Sequence, residues 1–424
     1  MSKNNRNPIY LAALDIGSTK VVFSIAQAKA DGIEVIGIGV VPHLGVKQGA
    51  VVNIESTTES ILKAKEEAEL MAGTEVNEVF LGVGGTYMQS FQSTGMVAIS
   101  GREVLENDIE RVIEAAKAVA IPADRKVLHV IPNFYKVDEQ DGISDPLGMS
   151  GVRLEASAHI VTALKSALQN SIKATEKAGL KVVDTVLQSL AASMAVLTED
   201  ERKMGVSLAI MGGGKCELIS YVAGSAVHTA VIPVGGSHFT GDVAMGLRTT
   251  QAHAEILKCK HAFALSQSIE GQQTIEVESV GGRPPRTIDK KTLCDIIEAR
   301  AEETLNLIGN ELKKNNLMTN LGSGIVLTGG ASQLSGLAEL GDFIFDIPVR
   351  LGSPLAVGGL TDVVKTPNFA TTVGLLLFGR KQIKQTIKDI NDDETQELND
   401  GESYSFDSIK DLSSKVKKYF DKLF

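Results

Sequence analysis

The chain has 424 residues, of which 43% are hydrophobic and 22% charged, and a formal net charge of −10. That length exceeds one ordinary core and predicts two or more domains, while the composition excludes a wholly disordered chain. The acidic balance argues against a general nucleic-acid binder, which needs a broad basic surface to neutralise phosphates.

The N-terminal MSKNNRNPIY is polar before Ile9 and does not read as a secretory signal. From Tyr10 to Val41 the pattern is strand, turn, strand, turn, strand: LAALDIG and VVFSIAQ flank a Gly-Ser-Thr-Lys turn, and IEVIGIGVV follows Asp31-Gly32. A charged helix is predicted over Ser56–Met71. Between Tyr87 and Ala163 the strand-like FQSTGMVAIS, a helix over Glu103–Ala120, the strand-like KVLHVIPNFYKV and then GVRLEASAHIVTA suffice for a small independent α+β unit. The alternative is a continuation of the main sheet.

The stretch LAIMGGGKCEL, Leu208 to Leu218, repeats the first turn. Asp15, Gly17 and Lys20 align with Ile210, Gly212 and Lys215 at a constant offset of 195 positions, and the second copy continues as strand, Gly224 turn, strand. This predicts a duplication at domain scale, with two glycine loops facing one another across a cleft. A third glycine motif, GIVLTGGASQLSGL from Gly324 to Leu337, reads as a buried strand, a Gly-Gly turn and a helix starting near Ser332 or Gln333. Such a turn lets backbone approach a flat base, and a helix N-terminus favours anions. The three cysteines, Cys216, Cys259 and Cys294, lack metal-ligand spacing and read as reduced cytosolic thiols.

The longest apolar runs, such as VGLLLF at 373–378, fall far short of the roughly 18 residues a spanning helix needs. The protein is therefore expected in the cytoplasm unless something else holds it to a membrane. From Lys381 to Phe406 the composition turns acidic and nearly free of aromatics, which predicts a flexible linker. The last 17 residues then place Ile409, Leu412, Val416, Phe420, Leu423 and Phe424 on one helical face, with Lys415, Lys417 and Lys418 among the lysines around it. A helix of that kind suits an anionic bilayer interface; the alternative is a tail docked on its own domain.

In this order the motifs resemble the actin, sugar-kinase and heat-shock-chaperone ATPase superfamily. Within it the chain is similar to the FtsA family of actin-like bacterial cell-division proteins, through ALDIGSTKVV, VIPVGGSHFTGDVAMGLRT at 231–249, the IIEARAEETLNLI helix from Ile296, VLTGGASQLSGL and the terminal helix. The resemblance implies an α/β, actin-like (ribonuclease-H-like) duplicated fold, with two lobes around a nucleotide cleft. Its expected divisions are 8–86 for the first lobe, 87–163 for the inserted subdomain, 164–198 for the first lobe again and 199–362 for the second lobe. Residues 363–380 return to the first lobe, 381–407 form the acidic linker and 408–424 the amphipathic helix.

The same resemblance implies ATP and Mg²⁺ as cofactors, with Asp15 holding the ion through its water shell. Gly17, Ser18, Thr19 and Lys20 would bind phosphate from one side, and Gly212, Gly213, Gly214 and Lys215 from the other. It adds Gly235, Gly236, Gly329, Gly330, Ala331 and Ser332 to the nucleotide contacts, Glu298 for the ribose and Gln188 for placing the attacking water. Gln188 equally suits a plain helix start and Glu298 a solvated helix face. The family phrase for the second loop is close to Asp-Ile-Gly-Gly-Gly-Thr-x-Asp. Here Ile210 replaces the first acid, Lys215 and Cys216 replace small polar residues, and Glu217 replaces the last Asp. Losing an acid that orients water costs roughly 10²–10⁴-fold, so nucleotide binding with weak or no hydrolysis is expected. Lys215 points either inward, supplying part of a metal's charge, or outward into solvent.

The implied role is a filament-forming ATP-binding protein at the cytoplasmic face of the inner membrane. Its implied partners are the tubulin-like FtsZ, other division proteins and anionic lipid. A sugar kinase of the same superfamily is one rival, although no cleft carboxylate suits a base beside a hexose pocket. An actin-like pilus-assembly adaptor is the other, for which the membrane-seeking tail is unexpected.

Overall fold

The computed structural model describes residues 8–397 apart from 30, 31, 270, 282 and 356, with side chains described as far as residue 384. The terminal amphipathic segment and the end of the expected linker, 398–424, lie outside the described residues.

The first glycine turn joins β1 (Tyr10–Ile16) to β2 (Lys20–Ala28), and β3 (Ile33–Pro42) completes an antiparallel meander. A two-residue ladder, β4 (Val46–Lys47) with β5 (Ala50–Val51), leads into α1 (Ile54–Ala72), and β6 (Glu78–Val83) then lies parallel to β1. The side chain of Asn53 caps α1 by accepting from the Ser56 amide, and Gly73 closes it in the left-handed conformation.

The insertion follows as β7 (Met88–Ala98), α2 (Glu106–Lys117), β8 (Arg125–Val137), β9 (Gln140–Ile143) and β10 (Arg153–Leu164). These strands form their own sheet in the order β7-β10-β8-β9, with Val112 of α2 in one buried cluster with Leu154 and Ala156 of β10, so the segment is a separate unit and not a continuation of the main sheet. The chain returns through α3 (Lys165–Lys177), β11 (Lys181–Leu187) and α4 (Gln188–Val196).

The second lobe opens with α5 (Glu199–Met204) and repeats the meander as β12 (Val206–Met211), β13 (Cys216–Val222) and β14 (Ser225–Ile232). It continues with α6 (Gly236–Gly246), α7 (Gln251–His261), a ribbon of β15 (Thr274–Val277) and β16 (Arg286–Asp289), the long α8 (Lys290–Lys314), β17 (Ile325–Thr328), α9 (Leu337–Phe345) and β18 (Val349–Leu351). Finally β19 (Gly358–Gly359), α10 (Thr361–Val364) and α11 (Ala370–Glu397) rejoin the first lobe.

The two main sheets run β11-β6-β1-β2-β3-β19 and β14-β13-β12-β17-β18. Each centres on a strand paired antiparallel to one neighbour and parallel to the other, β1 in one lobe and β12 in the other. The duplication is thus present in topology as well as in spacing. Between the sheets, Ala191, Ala192 and Val196 of α4 and Val373, Leu375 and Leu376 of α11 share one buried cluster with Ala13 and Val22 on one side and Leu208 and Ile219 on the other. Each large side chain buried there contributes about 1.5–3 kcal/mol.

Three expectations change. The return to the first sheet begins at Gly358, before residue 363, because β19 pairs with β3. In the third glycine motif a 3₁₀ turn occupies Gly330–Gln333, and the α-helix waits until Leu337 because Gly336 interrupts at φ 80°. Lys381 to Glu397, expected within a linker, continues α11 as helix.

The insertion touches the second lobe along β14. Ser90 Oγ donates to the Thr229 carbonyl at 2.9 Å, Ser225 Oγ donates to the Asn133 carbonyl at 2.8 Å, and His159 Nε2 lies 3.0 Å from Thr229 Oγ1. Burial, with some help from nearby His228, pulls the His159 imidazole down to about 4, so the folded state keeps it neutral where an unfolded chain, titrating near 6.5, takes a proton. Stability is therefore full above pH 6.5 and falls between there and about 4, by about 3 kcal/mol from this group. His129, pulled down to about 4 by burial alone, acts in the same direction. Urea midpoints measured from pH 7 to 4.5 should fall for the parent and fall less for His159→Asn; parallel curves would show that His159 is not the group responsible.

Candidate functional site

Both glycine turns are closed in the same way: the Gly17 amide donates to the Lys20 carbonyl and the Gly212 amide to the Lys215 carbonyl, each at 2.9 Å. These two amides are therefore spent within their turns, which corrects their expected role as phosphate donors. The amides of Ser18, Thr19, Gly213 and Gly214 take no part in the turn closure. The loops face each other at contact distance. A Cβ on Gly213 would lie 2.4 Å from Thr19 Cγ2, and one on Gly214 would lie 2.6 Å from Ser18 Oγ. Ser18 Oγ is buried without a hydrogen-bond partner, the kind of orphan a phosphate oxygen would satisfy.

Gly235 and Gly236 stand behind the second loop. Gly236 donates to the Gly212 carbonyl at 2.9 Å and Ser237 to that of Gly213 at 2.8 Å, so these amides at the start of α6 brace the loop. Lys258 was not foreseen there. Its ammonium reaches the Gly236 carbonyl at 3.3 Å, Thr240 Oγ1 at 3.0 Å and Glu255 Oε2 at 2.6 Å, and only the packing of α7 on α6 reveals it.

At the third motif, Gly329 at φ 89° donates to the Pro367 carbonyl at 3.2 Å, and Gly330 abuts Asn368. Ser332 Oγ turns back to the Gly329 carbonyl at 2.7 Å, and Ala331 approaches Gly236. Lys20 ties the first motif to the segment beside the third by donating to Asn368 Oδ1 at 3.1 Å with its ammonium 5.4 Å from the Phe369 ring centre. Burial lowers this ammonium from the ordinary lysine range, partly offset by Asp15. Glu298 is half-buried on α8 and accepts from the Ser266 amide at 3.1 Å, so the one contact found for it is structural.

At the floor of the cleft a buried polar chain links the two lobes. Gln188 Nε2 donates to Asp15 Oδ1 at 2.5 Å, Lys215 Nζ donates to Gln188 Oε1 at 2.7 Å, and Lys215 also pairs with Glu217 Oε1. Lys215 thus points inward and is 7% exposed, with Glu217 at 2% and Gln188 at 6%. Burial raises the Asp15 carboxyl above its ordinary value, against the pull of Lys215 and Lys20. Ile210 is buried directly across from Glu217 in the β12–β13 pairing. Directly opposite residues share a face, so the second lobe presents Glu217 to this cluster and an aliphatic side chain beside it.

Gly84 is the neighbour that sequence reasoning missed. A Cβ there would lie 2.0 Å from Glu217 Oε1 and 2.8 Å from Lys215 Nζ. The signal was the glycine-rich LGVGG at the end of β6, whose purpose appears only once the second lobe closes on it. All three cysteines are free; Cys216 is buried beside Glu217, and burial pushes its thiol up.

Residues 85–162 match the family model "SHS2 domain inserted in FTSA" and residues 211–374 match "Cell division protein FtsA". The cell division protein FtsA of Pseudomonas aeruginosa is 47% identical over 370 residues, covering 87% of this chain and 89% of that one. That of Escherichia coli strain K12 is 40% identical over 379 residues, covering 88% and 90%. Among solved structures, a PilM-PilN type IV pilus biogenesis complex superposes with a TM-score of 0.62 at 16% identity, covering 87% of this chain and 98% of the other. MreB5 of Spiroplasma citri bound to ADP superposes with a TM-score of 0.53 at 15% identity, covering 89% and 98%. These last two establish the actin-like fold alone. Fold, insertion and identity over most of the sequence agree that the chain belongs to the FtsA family of cell-division proteins.

Proposed function

We propose that the protein binds ATP in the cleft between its lobes, assembles into filaments on the cytoplasmic face of the inner membrane, and there anchors FtsZ and recruits other division proteins. The observation that carries the reading is the pair of facing glycine loops, with the orphaned hydroxyl of Ser18 between them, in a chain of this family. ATP acts as a structural ligand: a nucleotide that binds the closed arrangement better shifts the population toward it. With Ile210 in place of an acid, turnover is weak or absent. Among the described residues no helix is long and apolar enough to cross a membrane, so attachment falls to the amphipathic segment 408–424.

The test is co-sedimentation of the full chain with anionic liposomes, with and without ATP, followed by addition of FtsZ. The parent should pellet and carry FtsZ with it. Phe420→Glu with Leu423→Glu places charge among acyl chains, where each large side chain is worth about 1.5–3 kcal/mol, and should leave both proteins in the supernatant. A variant that still pellets like the parent would rule out the tail as anchor, and a parent that pellets without FtsZ would rule out anchoring.

A further inference from the structure

The residues at the floor of the cleft do not suit a divalent cation. No group of three or more His, Cys, Asp or Glu side chains among the described residues is placed to hold one. Asp15, the expected partner of the metal's water shell, is instead bonded by the Gln188 amide and lies in the field of two ammonium groups, Lys215 and Lys20. A dication brought to Asp15 would meet a fixed positive charge in its way, because Lys215 is buried and bound to Gln188 and Glu217.

We propose that the Lys215 ammonium is the resident cation of this cleft and that the protein binds its nucleotide without Mg²⁺. The inference rests on the nucleotide reading above. An ammonium has three N–H donors; Gln188 Oε1 and Glu217 Oε1 take two of them, leaving the third for a phosphate oxygen arriving between Ser18 and Gly214. A charge-assisted bond of this kind is among the stronger polar contacts available to a phosphate. Gln188 and Glu217 act as positioning residues, since they hold the lysine in place from opposite lobes. The substitution of lysine for a small polar residue in this loop and the loss of the acid at position 210 then form one change: the ligand for a metal is gone, and a tethered charge supplies what the metal supplied.

The experiment is calorimetric titration of ATP into the full-length protein, in excess EDTA and in excess Mg²⁺. The expected result is an affinity that differs by less than about twofold between the two conditions. Lys215→Thr removes the tethered charge and should weaken ATP binding at least about tenfold in EDTA, with Mg²⁺ restoring part of the loss; Lys215→Arg keeps the charge and should lose less in EDTA than Lys215→Thr does. Circular dichroism confirms that each variant is folded, and the parent comparison decides the matter even if a variant is not. A parent that loses ATP by tenfold or more on chelation overturns the proposal while leaving the nucleotide reading intact. A parent that binds ATP in neither condition overturns the nucleotide reading itself.

Discussion

Glu217→Ala should destabilise the protein by about 3–5 kcal/mol, because it leaves the buried ammonium of Lys215 without its carboxylate. Glu217 is 2% exposed and Lys215 is 7% exposed, so bulk water compensates little for the lost partner. Removing both charges is a different matter. Two ions taken out of water incur a desolvation cost that their attraction only roughly offsets, so Lys215→Met with Glu217→Leu should lie within about 1–2 kcal/mol of the parent in either direction. Urea unfolding of the parent, Lys215→Met, Glu217→Leu and the double variant gives the coupling energy directly. Additive losses would show that the pair is not coupled and that Lys215 is held by something else.

The second large effect is expected at Gly374. On α11 this glycine faces α4 so closely that a Cβ would lie 1.8 Å from the Ala191 carbonyl oxygen and 3.0 Å from the Ala192 nitrogen. Both are backbone atoms and neither can rotate away. Gly374→Leu must therefore push the two helices apart through a core that holds Ala191, Ala192, Val373 and Leu376. Overpacking usually costs about 1–3 kcal/mol where side chains can adjust; with only backbone to yield, the loss should exceed about 3 kcal/mol and reduce the soluble fraction. Gly241, helical with nothing within 4 Å of a Cβ built on it, is the control: Gly241→Ala should be neutral or stabilise by about 0.5–1 kcal/mol. Thermal melts of the three proteins check both statements, and a Gly374→Leu variant melting with the parent would mean that the helices are not in contact.

Much of the architecture was legible because it rests on local pattern. The alternation in LAALDIG and VVFSIAQ, and its recurrence 195 residues later, is a backbone signal that burial only reinforces. The inserted unit was legible for the same reason, since its strands and helix follow one another without a gap. The cleft floor was not. Whether Lys215 turns inward depends on Gln188, 27 positions earlier, and on Glu217 meeting Gly84 from the other lobe, and no local property of GGGKCEL encodes those neighbours. The amides of Gly17 and Gly212 were read as free donors because sequence shows glycines and not where their turns close.

The extent of α11 was missed for another reason. KQIKQTIKDINDDETQE is poor in apolar residues, and composition alone reads as linker. Yet lysine, glutamine and glutamate are good helix formers, and a helix already nucleated in a buried core extends at little cost. The root at Ala370–Phe378 provides that nucleus.

That continuity has a mechanical side. From Gly374 to Glu397 the helix spans about 35 Å at 1.5 Å per residue, and a hydrogen-bonded rod of that length has no soft joint along it. Its root is seated against α4 between the two sheets, where the lobes share their apolar packing. A pull or twist applied at the far end therefore arrives at the packing of α11 against α4, between the two sheets. The arm of α11 thus bears on α4 at Gly374, where backbone meets backbone with no side chain to cushion it.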